Sequence, residues 1–81
     1  MDIDLLEHWL ALVERQIVDA ERHVTLRRDI LICLEDDGLT ASETAEQARD
    51  LLRQIEGKLR ARTAERKWLQ AQLRRAGLRA A

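Results

Sequence analysis

Eighty-one residues carrying 14 basic and 15 acidic side chains make one small domain at most, and a hairpin of two helices would have little interior of its own. One cysteine excludes an internal disulfide, and no cluster of Cys and His suggests a structural zinc, so association with a second chain is the expected source of stability. Proline, tyrosine and phenylalanine are absent while Leu, Ala, Arg and Glu dominate, a composition of long helices.

From the N-terminus, Ile3, Leu6, Leu10, Val13, Ile17, Ala20, Val24, Arg27, Leu31 and Leu34 step alternately by three and four. All but Arg27 are apolar, so the spacing predicts one long helix over about residues 2–35 with a coiled-coil-like seam. A second stripe lies beside it: Leu5, Trp9, Leu12, Leu26, Ile30 and Cys33, interrupted in its middle by Gln16, Asp19 and His23. The acidic segment Glu35-Asp36-Asp37-Gly38 then reads as a helix stop, with Gly38 suited to a left-handed closing conformation.

A turn over residues 36–42 follows. The second helix has several candidate starts: Thr40 with Glu43 and Thr44 with Gln47 each form a capping box, and Ser42 is a further cap. Thr40 or Ser42 is favoured, giving a helix over about residues 43–76. Its seam is Ala45, Ala48, Leu52, Ile55, Leu59, Arg62, Arg66, Leu69, Leu73 and Ala76. Gly77 is read as its stop, with a frayed tail over 77–81. Gly57 falls inside the helix, where it costs up to about 1 kcal/mol relative to Ala.

The fold class is therefore all-α: an antiparallel two-helix hairpin in a single domain, expected to dimerise into a four-helix bundle. Antiparallel pairing sets level those positions whose numbers sum to about 79. It also places Arg27 opposite Leu52, Arg62 opposite Ile17 and Arg66 opposite Val13. Arginines at a seam cannot be buried unpaired. They are expected to snorkel or to pair with Glu14, Asp19 and Glu21, and Glu14, Asp19, His23, Arg62 and Arg66 are read as a polar layer that sets register and partner choice. Leu5, Trp9, Leu12, Leu26, Ile30, Ala64, Trp68 and Ala71 are read as an interface face, for a second copy or a helical protein partner.

The residues Glu21-Arg22-His23-Val24, then Arg28, Ile30, Leu34, Glu35 and Asp37-Gly38, resemble a pattern in short uncharacterised alphaproteobacterial proteins, E-R-H-V followed by R-x-I-x-x-x-L-E-x-D-G. After the turn, Thr44-Ala45-Glu46 and Leu51-Leu52 are similar to the T-A-E and Leu-Leu of that group, over a linker about four residues longer. The resemblance covers about residues 12–73. It implies the same hairpin and no known activity.

Chemistry finds little footing. Asp4 with His8, and Asp19 with His23, are i, i+4 pairs that read as exposed helix pairs; about 22 Å of helix separates them, too far for one metal site. Cys33 lies near the negatively polarised, acidic end of the first helix, and no Gly-rich phosphate loop is present. No catalytic residue, cofactor or small-molecule substrate is expected, so the chain is read as a non-enzyme. Charge is uneven: residues 58–81 hold eight basic side chains against Glu65. A nucleic-acid-binding hairpin using that basic end is the alternative to protein–protein interaction. No apolar run approaches the roughly 20 residues that cross a bilayer, and the acidic start reads against a signal peptide, so a cytoplasmic protein is expected.

Overall fold

The computed structural model describes the backbone of residues 2–80 and the side chains of residues 2–77. Two helices, α1 (Ile3–Asp36) and α2 (Glu43–Ala80), fold back on each other as an antiparallel hairpin, a rod of 61 × 14 × 14 Å. Its ends are unlike: one is the turn, and the other, here the open end, carries the start of α1 and the end of α2.

Local chemistry accounts for three of the four helix ends. Asp2 is extended (φ −70°, ψ 121°), and its carboxylate accepts the Asp4 amide at 2.9 Å, which satisfies one of the free N–H groups of the first turn. At the other end of α1 the Gly38 amide donates to the Glu35 carbonyl at 3.0 Å and the Leu39 amide to the Leu34 carbonyl at 2.9 Å. That is a Schellman closure, and Gly38 supplies its left-handed residue with φ +77°. The start of α2 belongs to Ser42. Its hydroxyl accepts the Ala45 amide at 3.1 Å and donates to the Leu39 carbonyl at 2.6 Å, so cap and turn share one side chain. Arg49 reaches back to the Thr40 carbonyl and ties the connection to α2.

The fourth end differs from expectation. The helix runs through Gly77 to Ala80, where a stop and a frayed segment were expected over 77–81; Ala81 lies outside the described residues. Gly77 has no positive φ, and the residues after it include no proline. Without a left-handed residue or a helix breaker, nothing interrupts the i to i−4 ladder.

The seam builds the core, unevenly. Leu6, Val13, Ile17 and Leu69 form a buried cluster against which Leu10, Leu59 and Leu73 pack. All seven lie in the open-end half of the rod. The turn half buries only Val24 and Ala45; Leu31, Leu34, Ala48, Leu52 and Ile55 are half-buried there, and so is Arg27. A guanidinium needs water or a partner, so the layer it occupies cannot close as the Leu69 layer does.

Candidate interaction face

Trp9 and Trp68 meet at the open end, their ring centroids 5.6 Å apart and their planes tilted by 57°, an arrangement that suits the aromatic quadrupole. The antiparallel register brings them together, since seam pairs on either side, Leu6 with Leu73 and Leu10 with Leu69, belong to the same packed cluster. Below the rings, the Trp9 indole N–H donates to Glu65 Oε1 at 2.9 Å. Arg62 Nη1 donates to the other oxygen, Oε2, at 2.7 Å. Glu65 thus carries two charge-assisted bonds on separate oxygens. The Arg62 guanidinium, then the Trp9 indole, hold its carboxyl below the ordinary value, against desolvation, which pushes the other way.

This network locks the rings without covering them. Trp9 keeps 39% and Trp68 45% of its surface exposed, beside Leu5 at 62% and Leu12 at 46%. Farther along the same stripe of α1, Leu26 and Ile30 are exposed and Cys33 is a free, exposed thiol. On α2, Ala64 is exposed and Ala71 half-buried. The eight residues read from the sequence as an interface therefore lie at least partly on the surface of the hairpin, as two apolar patches toward its two ends.

Within the hairpin the five polar-layer residues form no buried layer. Glu14, Asp19, His23 and Arg62 are exposed and Arg66 is half-buried, and no polar or charged residue among those described is buried. Arg62 turns to Glu65 of its own helix and not to Glu14 or Asp19, because an i, i+3 carboxylate lies within reach along the helix surface. Across the opposite face, Arg28 bridges to Glu56 at 3.4 Å above a groove lined by Val24, Leu59 and Arg60. Neither His8 nor His23 forms an ion pair with its i−4 aspartate among the described residues. Glu65 is the residue that sequence reasoning missed. Its i+3 spacing from Arg62 was legible; its reach to Trp9 is a tertiary fact.

No protein-family model, curated protein or solved structure shows a significant match to the chain. Among the described residues, no helix is long and apolar enough to cross a membrane.

Proposed function

We propose that this hairpin is a non-catalytic protein–protein interaction module, a regulator, adaptor or assembly subunit, that works by self-association through the Trp9/Trp68 face. One observation carries the reading. Among the described residues six are buried, one of them an alanine, whereas eleven large apolar side chains are more than a third exposed. Scattered apolar residues are ordinary on a surface, but contiguous patches mark interfaces. Here Leu5, Trp9, Leu12 and Trp68 are contiguous, and the pinned indoles present rigid aromatic area, the kind of group that anchors interfaces. A second hairpin over this face would make a four-helix bundle, with Asp19 and His23 in the middle of the contact as its selective element.

Light scattering across the micromolar range tests this. The expected native mass is twice the 9.4 kDa of the chain, and Trp9→Ala with Trp68→Ala should return it to one chain with helicity retained. A helical wild-type monomer at every concentration refutes self-association. Retarded migration of an RNA or DNA probe, lost as salt rises, would instead favour the exposed Lys58, Arg60 and Lys67 of α2 as a nucleic-acid surface.

A further inference from the structure

The exposed stripe of α1 is nearly a palindrome. Stepping by four and three, it reads Leu5, Trp9, Leu12, Gln16, Asp19, His23, Leu26, Ile30, Cys33. Reversed about Asp19, each position meets its own kind: Leu5 and Cys33, Trp9 and Ile30, Leu12 and Leu26, Gln16 and His23. A stripe with apolar ends and a polar centre that maps onto itself under reversal is what an isologous antiparallel contact requires.

Helix α2 repeats the pattern around a matching centre. Leu51 and Trp68 are exposed on its corresponding face, and their midpoint falls between Leu59 and Arg60. The hairpin register sets that point level with Asp19. One two-fold axis, perpendicular to the rod and passing at Asp19, therefore serves both helices. It stacks α1 on α1 and α2 on α2 and places Trp68 over the partner's Leu51.

Charge favours the same orientation along α2. Among residues 2–22 and 58–77, the open-end half, nine basic side chains stand against seven acidic; among residues 23–57, the turn half, four stand against eight. The rod is positive at its open end and negative at its turn. With like helices stacked, residues 58–77 of α2, seven basic side chains against one acidic, lie over the partner's net-acidic turn half of α2, whereas both halves of α1 are net acidic. One face of a rod 61 Å long and 14 Å wide, roughly 850 Å², is also about the area per partner of a stable interface.

We infer that the partner is a second copy of this chain, laid antiparallel so that the open end of each hairpin covers the turn end of the other, with the two-fold axis at Asp19. This rests on the self-association proposed above and adds its geometry. Cys33 supplies the test. In this arrangement the two Cys33 thiols lie at opposite ends, about 42 Å apart for 28 residues of helix, while each faces the partner's Leu5. A disulfide needs Cα atoms within about 7 Å.

Leu5→Cys should therefore oxidise to a covalent dimer whose peptide map joins the introduced thiol to the partner's Cys33, whereas wild type stays non-covalent. A bond between positions 5 and 33 of one chain is excluded by the same separation along α1. Leu12→Cys with Leu26→Cys in a Cys33→Ser background should cross-link likewise, and far-UV circular dichroism checks that each variant keeps its helices. A Cys33–Cys33 dimer of wild type overturns the orientation. So does the absence of cross-links in both variants of a protein that light scattering finds dimeric, and either result leaves self-association standing. A monomeric native mass overturns both.

Discussion

Leu69→Ala should remove the centre of the hairpin. Leu69 has no exposed surface and packs among Leu6, Val13 and Ile17. Truncation deletes three carbons, about 2.5 kcal/mol at roughly 0.8 kcal/mol per buried CH₂. The cavity adds to that, because these walls belong to the other helix and collapse only partly, so the total is about 3–4 kcal/mol. The better helix propensity of Ala returns a few tenths at most. Val18→Ala is the control: Val18 is 50% exposed and off both stripes, and the change should be neutral or slightly stabilising, within about 0.5 kcal/mol. Urea unfolding at fixed protein concentration, followed by helical circular dichroism, reads both. With a slope of about 1–1.5 kcal/mol/M, the Leu69→Ala midpoint should fall by about 2–4 M. If the whole stability is smaller than that loss, the variant is already unfolded without denaturant. A Leu69→Ala midpoint within about 0.5 M of wild type, or an equal fall in Val18→Ala, would refute the seam as the core.

Three further outcomes are expected. Since Arg62 and Trp9 hold the Glu65 carboxyl below its ordinary value of 4.5, the stabilisation that it contributes is present above that value and is lost as pH falls through the lower folded value; tryptophan emission should move in that window, and Glu65→Gln should abolish the movement. Ser42→Ala removes the cap of α2 and the bond to Leu39, costing about 1 kcal/mol in thermal unfolding, whereas Thr40→Ala and Thr44→Ala should cost less than half as much. Gly57→Ala should stabilise by about 0.5–1 kcal/mol in the same thermal unfolding assay, because the added Cβ meets only the tip of Arg60 at 3.8 Å; a loss of that size would place another helix against Gly57.

The seam was legible because burial writes itself in a three-and-four spacing that no helix can hide: Leu6, Val13, Ile17, Val24 and Leu69 are buried where the periodicity put them. Gly38 was legible for a similarly local reason, since a Schellman closure takes a left-handed residue just past the helix and Gly adopts it without strain. The start of α2 was ambiguous among Thr40, Ser42 and Thr44, each able to cap. Ser42 prevails because its hydroxyl also reaches the Leu39 carbonyl, a bond that exists only once Gly38 has turned the chain. Arg62 was placed against the opposite helix because seam position alone carries no rotamer. Its bond to Glu65 is local, but Trp9, which holds the far oxygen, lies 56 residues away.

The uneven core has a consequence for the connection between the helices. The tightest packing lies at the end farthest from the turn, so residues 37–42 act as a tether more than as a part of the packed body. Closing a longer tether costs little, about 0.6 kcal/mol for each doubling of its length. Extra residues between Thr40 and Ala41 should therefore be accommodated where truncation of Leu69 to alanine is not. Variation in length can accumulate at the hinge, while the identity of the molecule is kept at the clasp.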